Sequence, residues 1–184
     1  MTTFTLHTDE TAPDESKTIL ADAKKQMGRI PGLYATMAEA PGLLKAYKYL
    51  GEQFTGSSFD KDELTVVWQT INVEHECHYC VPAHTAIAKS MKVDDAITEA
   101  LRNETPLPNA RLEALRTFTL NVVRARGNVG DEDVQAFLDA GFTQRQILEV
   151  ILGTAQKVIS NYTNHLAQTP VDAAFKSFEW HKAG

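Results

Sequence analysis

Two thiols three residues apart, with an imidazole four residues beyond the second, stand in the stretch Glu74-His75-Glu76-Cys77-His78-Tyr79-Cys80-Val81-Pro82-Ala83-His84. It contains both cysteines of the chain and three of its six histidines. At about 100° per residue, Cys77, Cys80 and His84 fall within about a 60° sector of one helix. Cys80 and His84 are i and i+4 neighbours, so thiol and imidazole can touch. Pro82 lacks an N–H and is tolerated only near a first turn. The helix is therefore expected to start near His78 and run to Met91, with Cys77 at or just before its start and Cys80 in its first turn. The positive end of the helix dipole and the imidazole both favour thiolate. A pair at this spacing can also close into a small disulfide ring. Cys80, paired with His84, is assigned as the attacking thiol. Cys77, nearer the loop, is assigned as the resolving thiol that meets an external reductant.

A proton relay needs a carboxylate within reach. Glu63 on the preceding helix and Glu74 just upstream of Cys77 are the candidates, ahead of Glu76. Other readings of the same residues stand beside this one. Cys77, Cys80 and His84 could be three ligands of a zinc site, with His75, His78 or His165 as the fourth. The thiols could be inert core residues. Glu63 could serve only a helix cap, and Glu74 could be a solvated helix-end charge. His75 and His78 read as surface residues, and Asn161, Asn164 and His165 as a hydrogen-bonded patch inside a bundle.

The elements that must position the motif are all helical. Asp14 to Met27 has apolar residues at helical spacing and stops at Gly28. Pro31 and Pro41 mark two short helices, about 31–39 and 41–54. Asp60-Lys61-Asp62-Glu63 reads as a capping box opening a helix over about 60–74, with Leu64, Val67, Trp68 and Ile71 on one face. Asp94 caps a helix to about Arg102, Asn109 one to about Arg126, and a further helix covers about 131–139. Thr143 opens the longest pattern, roughly 144–167. Thr169-Pro170 starts a last helix whose Phe175, Phe178 and Trp180 are expected to pack, including against another subunit. Residues 1–13 read as an extended arm, with Phe4 and Leu6 alternating and Pro13 closing it. A capped helix leads to a Tyr-and-His segment twice, over Asp60 to His84 and Thr143 to His165, and only the first copy has cysteines.

The composition bounds the rest. A chain of 184 residues fits one domain with room for a core. Its 43% apolar and 23% charged content is globular. A net charge of -6 argues against nucleic acid, which calls for a basic face. No apolar run approaches the ~20 residues of a membrane span. Met1 to Glu10 has neither the basic nor the apolar part of a signal peptide. A cytoplasmic protein with no membrane association is expected, in which Cys-x-x-Cys is catalytic or metal-binding rather than structural.

The segment Ile71-Asn72, then Cys77-His78-Tyr79-Cys80-Val81-Pro82-Ala83-His84, resembles the Cys-x-x-Cys-x-x-x-His motif of the alkylhydroperoxidase D-like (carboxymuconolactone decarboxylase-like) superfamily. Ile30-Pro31-Gly32-Leu33, Ala40-Pro41-Gly42-Leu43-Leu44 and Asn161-Tyr162-Thr163-Asn164-His165 extend the likeness over most of residues 28–170. The resemblance implies an all-α bundle of about eight to ten helices in a single domain over 1–184, assembled as a dimer, trimer or hexamer. It implies thiol-based reduction of hydroperoxides; no cofactor and no metal is expected. The reductant would be a thiol or dithiol, carried by a lipoyl- or thioredoxin-like protein. In the family the second cysteine is peroxidatic, the first resolves, and the His and an upstream Glu relay protons; these roles carry over to Cys80, Cys77, His84 and Glu63. The link Val73-Glu74-His75-Glu76 is longer than usual, which shifts the relay role toward Glu74. Tyr79 stands where some members have a second histidine. The decarboxylase branch lacks the cysteine pair, which argues against decarboxylation here; a carboxymuconolactone decarboxylase-type enzyme and a non-enzymatic redox-sensing or zinc-binding module are the alternative readings.

Overall fold

A computed structural model describes residues 4–182. Among them are nine α-helices and no strand. In order these are α1 (Asp14–Met27), α2 (Gly32–Met37), α3 (Pro41–Thr55), α4 (Lys61–Glu74), α5 (Cys80–Ser90), α6 (Asp95–Arg102), α7 (Ala110–Arg124), α8 (Asp131–Asp139) and α9 (Gln144–Ala167). A 3-10 helix, Ala173–Phe178, follows. The caps fall where the sequence puts them. Asp60 and Glu63 form a reciprocal capping box at α4, as do Thr143 and Gln146 at α9. Asp94 and Asn109 accept the first free N–H groups of α6 and α7. Gly28 ends α1 at φ 69, a left-handed conformation that glycine adopts without steric cost.

Helix α4 is the axis of the bundle, packed against α5, α6, α7 and α9. Every residue from Glu63 to Val73 is buried. The single apolar face read from Leu64, Val67, Trp68 and Ile71 is therefore only part of its contact surface. Neighbours surround the helix, and its polar residues are buried too, each needing an internal partner. Gln69 and Asn72 find theirs in the cysteine motif.

Two apolar clusters flank this axis. The larger joins α4, α6, α7, α8 and α9, with the rings of Phe118, Phe137 and Phe142 stacked in series at 4.2 and 4.3 Å. The smaller gathers Leu20, Leu33, Met37, Leu44 and Tyr47 around Cys77, Tyr79 and Cys80. Helices α3, α4 and α9 meet closely at Gly153, where an added Cβ would lie 2.8 Å from the Phe54 ring and 3.0 Å from Val67. Both neighbours are fully buried and have nowhere to move. Gly153→Ala is expected to destabilise the fold by about 1–3 kcal/mol through overpacking. Urea denaturation checks this; an unchanged midpoint would mean that the three helices separate freely there.

Residues 4–13 of the N-terminal arm lie against α2, where the His7 N–H donates to the Ala35 carbonyl; residues 1–3 fall outside the described residues. Phe4 and Leu6 are both exposed. The C-terminal aromatics are not a free patch. Trp180 is buried, and its indole N–H donates to the Arg102 carbonyl at 2.9 Å. Phe175 packs edge-on against Tyr79. Phe175 and Trp180 pack against the chain's own residues, Trp180 with Val73 and Val81, because the segment after α9 folds back over α5. No helix among the described residues is long and apolar enough to cross a membrane.

Candidate active site

The turn that delivers Cys77 is a helix C-terminal motif. Helix α4 ends at Glu74, His75 caps it, and Glu76 takes the left-handed conformation at φ 53. The Glu76 N–H then bonds the Val73 carbonyl and the Cys77 N–H bonds the Asn72 carbonyl, both at 2.9 Å. This is the paired pattern that usually ends in glycine. A glutamate there is held at a cost of about 1 kcal/mol or more. Helix α5 begins three residues later, with Cys80 as its first residue. The Cys80 N–H points at the Cys77 sulfur, 3.4 Å away, so the first thiol sits where a capping oxygen would. Asn72 donates to the Cys80 carbonyl at 3.4 Å and Gln69 to the Val81 carbonyl at 3.1 Å, tying the motif to α4.

Both cysteines are free and buried, but they are not equivalent. Cys80 lines a pocket of about 310 Å³ together with His84; Cys77 stands behind it and does not reach that wall. The Cys80 sulfur accepts from the Asn164 amide at 3.2 Å. Burial pushes its thiol upward in pKa. A hydrogen bond from Cys77, the charge of Lys157, and the amides of Asn164 and Asn161 outweigh that and bring it down to about 5. Cys77 moves the other way. Donating its hydrogen to Cys80, being buried, and lying beside the Cys80 charge all hold it as a thiol. The pair is thus one thiolate and one thiol, the form a nucleophile with its resolving partner requires.

His84 lies one turn along α5, its ring tilted against Trp68 at 4.9 Å. Burial first, and the charge of Lys157 second, keep it neutral. Its Nε2 is 2.9 Å from the Lys157 ammonium, and its buried Nδ1 has no hydrogen-bond partner. Tyr79 donates to Asp172 at 3.0 Å and accepts from the Leu33 N–H at 3.3 Å. Asp172 also accepts from the Gly32 N–H. One phenol thereby joins the motif, α2 and the C-terminal segment over the pocket. Tyr34, Tyr47, Tyr79 and Phe175 give the pocket an aromatic wall, with Arg29 over the Phe175 ring at 4.9 Å.

The structure brings Cys77, Cys80 and His84 together, and it does not bring either carboxylate to them. Glu63 is at the far end of α4. One of its oxygens accepts from the Asp60 N–H and the other from the Arg111 guanidinium, which occupies the whole carboxylate. Glu74 leaves the end of α4 toward α7, where Arg124 grips it through two bonds of 2.8 and 2.7 Å. That Arg124 hydrogen bond holds the Glu74 carboxyl below its ordinary value. The extra residues of the link are absorbed in the helix-ending turn and do not swing Glu74 toward the thiols. Glu74→Gln and Glu63→Gln are both expected to change turnover by less than about 2-fold. Glu63→Gln should cost about 1 kcal/mol through its cap, and Glu74→Gln at most that, as a half-exposed pair. A 10-fold activity loss in a fully folded variant of either would restore the carboxylate to the relay.

Cys77 is also fully buried rather than exposed on the loop, because the turn folds it under α2 and α3. Of the two sulfurs, only that of Cys80 belongs to a residue lining the pocket. Of the histidines offered as a fourth zinc ligand, His75 is engaged with Asn161 at 2.9 Å and His78 with the Thr169 carbonyl at 3.0 Å, while the buried His165 Nε2 has no hydrogen-bond partner. Among the described residues no group of three or more His, Cys, Asp and Glu side chains is gathered to hold a metal.

Lys157, Asn161 and Asn164 are the site residues that the motif does not announce. They sit at i, i+4 and i+7 on α9 and are all buried. Their spacing carries a signal, a polar stripe with a lysine in it along one side of a helix whose other side carries Leu148, Ile151 and Leu166. The expected patch is hydrogen-bonded only in part: Asn161 donates to Asn72 and pairs with His75, while His165 Nε2 and Asn164 Oδ1 are buried without a partner. Asn164 goes further and solvates the reactive sulfur.

No family model matches the sequence, and no curated protein matches it either. Solved structures do. The alkylhydroperoxidase AhpD core of an uncharacterized peroxidase-related protein from Ralstonia eutropha JMP134 superposes with a TM-score of 0.83 at 20% identity, over 94% of this chain and 93% of that one. An uncharacterized peroxidase-related protein from Silicibacter sp. TM1040 gives 0.76 at 21% identity, over 89% and 87%. A variant of the debrominase Bmp8, in complex with 2,3,4-tribromopyrrole, gives 0.78 at 16% identity, over 96% and 95%. Near-complete coverage of all three chains, with the Cys-x-x-Cys pair at a helix start, shows that this protein has the all-helical alkylhydroperoxidase D-like fold.

Proposed function

We propose that the protein is a thiol-dependent peroxidase that reduces organic hydroperoxides through Cys80 and Cys77. The observation that carries this reading is the unequal pair, a buried thiolate facing a pocket with a thiol hydrogen-bonded behind it. The Cys80 sulfur attacks the terminal oxygen of the hydroperoxide and the O–O bond breaks. Cys80 becomes a sulfenic acid, and the alkoxide leaves with a proton as the alcohol. The Cys77 thiol then attacks the Cys80 sulfur, its hydrogen leaves with the hydroxyl as water, and a disulfide forms. A dithiol reductant returns both cysteines to thiols and becomes a disulfide itself. Small thiols or a lipoyl arm fit the pocket approach. A cycle resting on two free thiols suits a reducing compartment such as the cytoplasm.

The test is consumption of an aryl-alkyl hydroperoxide by reduced protein with a dithiol present. Turnover that depends on both cysteines supports the reading; no consumption beyond the dithiol blank opposes it. The aromatic wall beside Cys80 favours a second reading, reductive debromination of a small arene. There the two thiols supply two electrons, bromide leaves, hydrogen takes its place, and the disulfide is the other product. Bromide release from tribromopyrrole, measured in parallel, distinguishes the two.

We further propose a homo-oligomer formed by a second copy on α9. Leu148, Ile151, Ala155, Tyr162 and Leu166 are exposed along one side of that helix, within about an 80° sector. An apolar stripe of that length is uncommon on a monomer. Light scattering at micromolar concentration is expected to give more than one copy, and Leu166→Glu with Ile151→Glu to return the monomer.

A further inference from the structure

Building on the thiol reading of this site, we propose that Lys157 takes the place of the relay carboxylate: its ammonium donates to His84 Nε2, so the imidazole carries its proton on Nδ1 and presents it to the pocket. The argument is one of donors and acceptors. The Lys157 ammonium is wholly buried, and its hydrogen-bond partner is the His84 ring at 2.9 Å. An ammonium has three donors and no acceptor, so Nε2 must be bare. The neutral ring then holds its hydrogen on Nδ1. That atom is buried and unpartnered, in a residue lining the pocket beside Cys80. An unsatisfied buried donor costs about 1–3 kcal/mol, and a substrate oxygen arriving at Cys80 would satisfy it.

Among the described residues no carboxylate pairs with Lys157. Burial disfavours the ammonium, and the charge that chiefly favours it is that of Cys80. Lysine and thiolate are each other's counter-ion, and Lys157, His84 and Cys80 line the same pocket. A carboxylate in this position would do the reverse, repelling the thiolate and drawing the ring proton to the far nitrogen.

The proton balance closes over a cycle. As the O–O bond breaks, Nδ1–H goes to the leaving alkoxide and an ammonium proton moves to Nε2. Lys157 is left as a neutral amine and His84 as the other neutral tautomer. When the dithiol later reduces the disulfide, Cys80 is released as a thiol. Its proton passes to Nδ1 while the Nε2 hydrogen passes back to the Lys157 amine, which restores the thiolate, the ammonium and the starting tautomer. Lys157 acts through His84 and is a positioning residue, not one that touches substrate.

Two readouts taken without any peroxide test this, so its failure is distinguishable from failure of the peroxidase reading. The first is the imidazole nitrogen spectrum of reduced wild-type protein at neutral pH. The expected pattern for His84 is protonated Nδ1 and bare Nε2; protonated Nε2 would overturn the proposal, with no variant needed. The second is alkylation of Cys80 in Lys157→Met, which keeps length and loses charge. The rate at pH 6 is expected to fall at least ~10-fold while the protein stays folded, because the thiolate loses its counter-ion. An unchanged alkylation rate in the folded variant would show that Lys157 is merely buried there.

Discussion

Cys80→Ser is expected to abolish hydroperoxide turnover, by at least ~10³-fold, whereas Cys77→Ser is expected to stop after a single oxidation with a sulfenic acid left on Cys80. The difference follows from where the sulfurs stand. Only Cys80 reaches the pocket, and its sulfur receives the amide of Asn164 at 3.2 Å. Cys77 lies behind it, under α2 and α3, placed to attack the oxidised sulfur from within. Serine at position 80 keeps the packing but is far too weakly acidic to ionise in this setting. Dimedone trapping followed by mass analysis reads both variants. A sulfenic acid trapped in Cys80→Ser and absent from Cys77→Ser would reverse the two roles.

The second large effect is on ionisation. Cys80, at about 5, should react with iodoacetamide over a midpoint far below the ordinary thiol value of ~8.5. At pH 6 about 90% of it would be thiolate, against under ~1% of an ordinary cysteine. Part of that gain is lost because a less basic thiolate is a weaker nucleophile. The expected rate advantage at pH 6 is therefore about 10- to 100-fold over a free thiol. Cys77→Ala removes the foremost hydrogen bond to the Cys80 sulfur and should raise the midpoint. The same shift is a stability term. A folded-state pKa below the unfolded value contributes in full above about pH 8.5 and is lost as pH falls toward about 5. Reduced protein should lose stability over that interval, and the disulfide form should not share the loss. An alkylation midpoint near 8.5 would remove the thiolate from the account.

The sequence carries the helices well because their ends are chemically marked. Asp60, Asp94, Asn109 and Thr143 each cap the helix they announce, and Gly28 closes α1. The cysteine helix is legible from Pro82 alone. What is not legible is anything set by packing between distant segments. Glu74 looks close to Cys77 along the chain, yet the turn at Glu76 sends the two side chains opposite ways. Glu63 is bound at its own helix end by Arg111, a partner 48 positions away that no local pattern indicates. Phe175 and Trp180 read as an outward patch because nothing in their spacing says that the chain folds back over α5. Lys157 is hidden for a different reason. One lysine among the polar residues of α9 reads as solvated surface until the helix is seen to be enclosed on that side.

The unequal thiol pair is the claim on which the account rests, and a single-turnover titration tests it most directly. One equivalent of cumene hydroperoxide is added to fully reduced protein with no other thiol present. The account predicts loss of one equivalent of peroxide, appearance of one equivalent of alcohol, and disappearance of both titratable thiols into a Cys77–Cys80 disulfide. Peroxide left unconsumed, with both thiols still open to titration under denaturing conditions, would contradict it.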